Sequence, residues 1–249
     1  MSELLLEHAA LALAIIVVTH FIGAIAVFGS SLLAVPPLLL LYGPESLPLV
    51  LFVLVIVGLL QAILLAMRNW RAADGRFCFR LLLGSATGLP LGMVLTSVLP
   101  GRAVMILLGL LTLAAGVSNG LSARIKPSAR VRRWAFPIAL ATGLIHGAYA
   151  SGGTVLVAYA QRAMPDRDTF RATLAVYWTL LNIGFVAALF IRARPDGPAL
   201  LMTGTVAMIV LSVTVLADRT ARHINPRHFQ WGVSALLVIS GLALLGSQV

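Results

Sequence analysis

The sequence predicts an all-α fold: a polytopic integral membrane helix bundle of two inverted repeats. Each repeat is a broken or re-entrant helical hairpin followed by three transmembrane helices. Three observations predict this. First, charge is nearly absent from long stretches: only Glu45 lies between Glu7 and Arg68, and runs 81–101, 103–123, 134–161, 172–191, 197–217 and 228–249 contain no Asp, Glu, Lys or Arg. Second, a small-residue cluster followed by an aliphatic run occurs twice, 123 residues apart, at Phe28-Gly29-Ser30-Ser31-Leu32-Leu33-Ala34-Val35 and Ser151-Gly152-Gly153-Thr154-Val155-Leu156-Val157-Ala158. Third, the basic residues gather in short clusters between the apolar runs, as in cytoplasmic loops of membrane proteins.

The composition agrees. Sixty per cent hydrophobic and ten per cent charged residues, with a mean hydropathy of +1.00, exclude an ordinary soluble domain. The formal net charge of +10 is spread over loops and forms no basic groove interleaved with aromatics, so no nucleic-acid partner is expected. Five scattered His and the single Cys78 show no ligand spacing, so neither a metal nor another cofactor is expected, and no internal disulfide can form. The acidic start, with Glu3 and Glu7, lacks the basic region of a cleaved signal peptide, so the first apolar segment is expected to remain.

A hydrocarbon core about 30 Å thick needs roughly 20 helical residues to cross it. Residues 8–42 are too long for one simple span, and a break at 23–31 leaves two arms that are each short for a crossing. The run 46–67 is a crossing, followed by 81–101 and 103–123. The basic stretch 123–133 links repeat one (1–122) to repeat two (134–249). There the arms 134–146 and 154–164, about 16–20 Å each as helix, read as a second hairpin with its tip at mid-membrane. Irregular backbone at that depth is tolerated only against protein or a water-filled cavity. Runs 172–191, 197–217 and 228–249 then supply three more crossings.

Charge placement separates two topologies. With non-crossing hairpins both termini face outside, and loops 68–80, 122–133, 162–171 and 218–227 face the cytoplasm. They hold 15 Lys and Arg against 3 outside, whereas single-crossing hairpins give 11 against 7. The excess of positive charge inside favours the first arrangement. Gly84, Gly88 and Gly92, the segment 116–120 and the pair Gly143 and Gly147 carry the small-residue spacing of closely packed membrane helices.

Function is expected at the few polar residues inside these runs. The backbone amides of Gly29, Ser30 and Ser31, and of Gly152, Gly153 and Thr154, would open the second arm of each hairpin. Helix N-termini carry unpaired N–H donors and partial positive charge, which suits a small anion. His20 and His146 lie a few residues before the tips, can titrate near neutral pH, and as imidazolium could pair with an oxyanion. Tyr149 and Ser151 add hydroxyl donors beside Thr154. Gln61 and Asn182 sit mid-helix in equivalent elements of the two halves, where inter-helix bonding is as ready an explanation for Gln61. Arg171 begins a crossing, as a topology anchor or as part of a substrate vestibule. All eight acidic residues fall at ends or in loops, so coupling through an intramembrane carboxylate is not expected.

Several of these segments resemble the sulfite exporter TauE/SafE family of membrane transporters. They are Gly23-Ala24 through Gly29-Ser30-Ser31 to Val35-Pro36-Pro37-Leu38, then Gly143 and His146-Gly147-Ala148-Tyr149-Ala150-Ser151-Gly152-Gly153-Thr154. Leu81-Leu82-Leu83-Gly84 through Leu89-Pro90-Leu91-Gly92, and Phe170-Arg171-Ala172-Thr173-Leu174 leading to Asn182, add to the likeness. Family members often carry three glycines where this chain has Gly29-Ser30-Ser31. The resemblance implies a secondary transporter in the inner membrane that moves sulfite, an organosulfonate or another small anion by alternating access, often outward. It implies a lipid bilayer and a small anionic substrate as partners, and leaves a homodimer open. Two other readings remain: a carrier of non-sulfur organic anions, and an intramembrane hydrolase using His146 and Ser151, although no GxSxG elbow is present. On the leading reading no residue is catalytic.

Overall fold

The computed structural model describes residues 8–26, 30–121, 129–164, 166–220 and 226–248. They form ten α-helices: α1 (Ala9–Ala26), α2 (Ser30–Tyr42), α3 (Leu47–Asn69), α4 (Gly75–Val98), α5 (Gly101–Leu121), α6 (Ala135–Tyr149), α7 (Gly153–Ala163), α8 (Arg167–Ala193), α9 (Gly197–Thr220) and α10 (Pro226–Gly246). The described residues contain no strand. A short pair followed by three longer helices therefore occurs twice.

Helix ends follow local chemistry. Gly43, at φ 81, ends α2 and leads into a turn of 3₁₀ helix at Pro44–Ser46. The loop carboxylates act as caps. Asp74 Oδ1 accepts from the Phe77 N–H at 3.0 Å, Asp166 Oδ2 from the Thr169 N–H at 2.8 Å, and Asp196 Oδ1 from the Ala199 N–H at 2.9 Å. Capping by Asp74 starts α4 six residues before the run 81–101, so Arg76 and Arg80 are helical. Arg132 pairs with the same carboxylate and lies 4.6 Å over the Phe77 ring.

Segments Pro44–Arg68, Gly75–Val98, Gly101–Ser118, Asp168–Ala193 and Gly197–Ala217 are long and apolar enough to cross a membrane. The 21-residue α10 has the length as well, about 31 Å. Large apolar side chains turn outward, among them Leu201, Ile191 and Val98 at 76, 75 and 71 % exposure. Such a surface is stable in lipid. By contrast α2, α6 and α7, with 13, 15 and 11 residues, are about 16–22 Å long and short for a span.

Helix pairing exchanges between the halves. The first arm of the second hairpin, α6, packs along α4, and its counterpart α1 packs along α9. Likewise α4 lies against α8 and α9 against α3, while α3–α8 and α5–α10 pair equivalent helices. Phe52, near the start of α3, meets Phe190, near the end of α8, with ring centroids 5.9 Å apart, so these two helices run antiparallel.

The glycine faces explain the closest contact. A Cβ at Gly88 or Gly92 of α4 would stand 2.2 or 1.9 Å from the carbonyls of Leu140 and Leu144, and one at Gly143 or Gly147 of α6 would stand 2.2 or 1.9 Å from those of Ser85 and Leu89. The two backbones touch directly, so Gly143 and Gly147 are packing residues, as their spacing predicts. Gly116 and Gly241 bring α5 and α10 together in the same way.

Candidate functional site

The second tip lies at 150–152, between α6 and α7. Its strained residue is not a glycine. Ala150 takes the left-handed conformation at φ 52, while Gly152 has φ −62. Gly152 is required for another reason: a Cβ there would lie 2.3 Å from the Thr142 carbonyl oxygen. The N-cap residue of α7, Gly152, has no side chain to cap the helix, whose first backbone N–H groups lie at the tip. At the first tip, a Cβ on Gly23 would lie 2.7 Å from the Ser30 Cβ, so α1 and α2 also close tightly.

A cavity of about 70 Å³ lies where the two tips approach. Since a water needs about 10–15 Å³ by this measure, there is room for a small oxyanion or a few waters. Gly23, Ser30 and Ser31 line it from the first hairpin, and His146, Ala150, Ser151 and Gly153 from the second. Helices α3 and α8 close the sides, with Gln61 and Asn182 among their lining residues. Along α3 the lining extends from Leu54 to Leu65, and along α8 from Asn182 back to Ala175, so the cavity leans towards loops 68–80 and 162–171. None of the lining residues is Asp, Glu, Lys or Arg.

Two mid-helix amides hold the hairpins. Asn182 Oδ1 accepts from His146 Nε2 at 2.8 Å. Gln61 Nε2 donates to the backbone carbonyl of His20 at 3.2 Å and to Thr214 Oγ1 at 2.8 Å. In each half, therefore, the amide of the first long helix bonds the histidine residue of the preceding hairpin arm. The His146 ring also packs against Trp178 and Phe185, at centroid distances of 5.0 and 5.2 Å.

The structure thus brings seven expected residues to one cavity: Ser30, Ser31, Gln61, His146, Ser151, Gly153 and Asn182. Gly29 and the Thr154 side chain lie outside the described residues. Four others do not line it. His20 is fully buried and its Nδ1 donates to the Ile16 carbonyl at 2.9 Å. The Tyr149 hydroxyl donates to the Val104 carbonyl at 3.0 Å, pinning α6 to α5. Gly152 backs onto α6, and Arg171 sits in the second turn of α8, away from the cavity.

One residue was missed. Trp178 lines the cavity, and its indole Nε1–H is buried with no hydrogen-bond partner. In a long apolar run a tryptophan reads as packing, but its position four residues before Asn182 puts both on one helix face. His146 Nδ1 is likewise buried, with no hydrogen bond of good geometry. A buried polar atom left unsatisfied costs about 1–3 kcal/mol. Both atoms belong to residues that line the cavity.

The sequence profile described as Sulfite exporter TauE/SafE matches residues 11–244. The chain belongs to the TauE/SafE family. It is a multi-pass membrane transporter, with a small-molecule substrate and the lipid bilayer as partners. It is also similar to a Comamonas testosteroni protein described as a probable inner membrane transporter protein TsaS, with 29 % identity over 182 residues, covering 71 % of this chain and 74 % of the relative. No solved structure matches the chain.

Proposed function

We propose that this protein is a secondary transporter that exports a small anion, a sulfur oxyanion or organosulfonate such as sulfite, across the inner membrane. One observation carries the reading: the openings of α2 and α7, the ends that carry partial positive charge, meet at a cavity with no carboxylate and an unpartnered Trp178 N–H. The family description and the relative's description as an inner membrane transporter support it.

The exchange of helix pairs supports two inverted repeats, 1–122 and 134–249, that rock about the site in alternating access. With the charge-based topology, the cavity leans towards the cytoplasm, so this conformation is the inward-facing one. Substrate would enter from inside between α3 and α8. Export could then follow the anion's own electrochemical gradient.

The hydrolase alternative has less support. The Ser151 hydroxyl donates to the Tyr149 carbonyl at 2.7 Å, His146 Nε2 is engaged by Asn182, and Nδ1 has no partner, so no nucleophile–base hydrogen bond is made.

Purified protein in proteoliposomes tests the proposal. Sulfite loaded inside should leave faster than from protein-free vesicles, with competition from methanesulfonate and little from acetate. Equal efflux from both kinds of vesicle would reject it, and preference for acetate would favour a carrier of non-sulfur organic anions.

A further inference from the structure

We propose that Gly58, in the middle of α3, sets the size of anion that the site accepts: the place of its missing side chain holds the group that the substrate carries behind its oxygens. This rests on the anion-site reading and adds a selectivity residue to it.

Neither conformation nor packing explains this glycine. It lies inside the unbroken helix Leu47–Asn69, where glycine weakens a helix relative to alanine. Among the described glycines only Gly43 has a positive φ, so Gly58 turns nothing. The glycines of α4 and α6 are fixed by contact: a Cβ at Gly88 or Gly147 would stand 2.2 or 1.9 Å from a neighbouring carbonyl oxygen. A Cβ at Gly58 would meet nothing within 4 Å. Gly184 and Gly204 share that freedom, but both are exposed and neither lines the cavity. Gly58 does line it.

Helical geometry aims this open space at the cavity. Residues three and four positions away on either side share a helix face with Gly58. Leu54, Val55, Gln61 and Ala62 hold those positions, and all four line the cavity. The hydrogen of Gly58 that a side chain would replace therefore points into it.

The wall around Gly58 is poor in donors. Leu54, Val55, Ala62 and Leu65 are apolar, and Gln61 engages its Nε2 with the His20 carbonyl and Thr214. The oxygens of a bound anion need hydrogen bonds, so they belong at the tips, beside Ser30, Ser31 and the opening of α7. The substituent on the acid centre then lies against α3 at Gly58. In about 70 Å³ a single methyl group is decisive, since it is larger than a water, which itself needs about 10–15 Å³. Alanine at position 58 would set a methyl where methanesulfonate carries its own and sulfite has only a lone pair.

Initial efflux of sulfite and of methanesulfonate from proteoliposomes, at one pH, gives a rate ratio for each variant. In Gly58→Ala the methanesulfonate-to-sulfite ratio should fall about tenfold, the discrimination one carbon gives in a tight pocket. Gly58→Val, with three carbons in the same space, should stop both anions. Gly184→Ala makes the same change on α8 outside the cavity and should keep the wild-type ratio. Both alanine variants should melt about 1–4 °C higher than wild type, because alanine replaces a helical glycine without a clash. Equal retention or equal loss of the two anions in Gly58→Ala overturns the inference and leaves the anion site standing. Normal flux in Gly58→Val, or a lower Tm in Gly58→Ala, overturns it as well. Efflux of neither anion from wild-type vesicles above protein-free ones overturns the anion-site reading, and this inference with it.

Discussion

Replacing Gly152 by alanine probes the second tip through a contact whose size is known. The new Cβ would lie 2.3 Å from the Thr142 carbonyl oxygen and 3.0 Å from the His146 Cβ. Ordinary contact begins near 3.4 Å, so the start of α7 must retreat from α6 by about 1 Å. Thr142 is fully buried and cannot yield. Overpacking of this kind costs about 1–3 kcal/mol, which lowers Tm by about 2–10 °C in a chain of this size. The same shift moves Gly153 and the first turn of α7 relative to Asn182 and Trp178, and a 1 Å misplacement can reduce rate by about 100-fold. Gly184 on α8 is the matched control, since a Cβ there meets nothing within 4 Å. Thermal melting in detergent and anion efflux from proteoliposomes should both separate Gly152→Ala from Gly184→Ala. Indistinguishable melting and flux would refute the packing argument and the role of the tip together.

Further predictions follow from the strained and charged positions. Ala150→Gly relieves a left-handed non-glycine residue, worth about 1–2 kcal/mol, against a glycine entropy cost of about 0.5–1 kcal/mol, so a slightly higher Tm is expected; a fall in Tm would contradict it. For Asp74, burial pushes the carboxyl up, but the Phe77 N–H and the Arg132 guanidinium outweigh it and hold it below the usual carboxylate range. A depressed carboxyl stabilises the fold above its unfolded pKa and loses that contribution as pH falls through the folded value. Asp74→Ala should therefore cost about 1 kcal/mol between pH 5 and 8, with the deficit shrinking below about pH 4; a deficit that persists unchanged in acid would count against this assignment. Single cysteines in a background lacking Cys78 should be labelled from outside at the C-terminus and in 192–198, and from the cytoplasm in 68–80 and 122–133. A cytoplasmic C-terminus would refute the inverted repeat.

The long helices were legible because lipid leaves a simple trace, namely runs without charge of the length a bilayer demands. The tips were legible because small residues recurred at half-chain spacing. What the sequence did not show was direction. His146 and Tyr149 lie three residues apart in one motif, yet one lines the cavity and the other turns to Val104, since helical phase relative to α5 and α8 depends on packing. His20 also precedes a tip, but its ring is bonded along its own helix. Glycine spacing marked close helix packing but not the partners, α4 and α6, and at the second tip the left-handed residue is Ala150 rather than a glycine. Trp178 was hidden because its indole N–H becomes informative only once its lack of a partner is seen.

Whether the cavity between the tips binds an anion is tested most directly by occupancy. Ser31, in the first turn of α2, lines it, and Ser97, on the exposed end of α4, does not. In a background lacking Cys78, the rate of N-ethylmaleimide labelling at Ser31→Cys should fall several-fold in saturating methanesulfonate, while labelling at Ser97→Cys stays constant. Equal labelling of Ser31→Cys with and without the anion, in protein that still transports it, would place the substrate elsewhere.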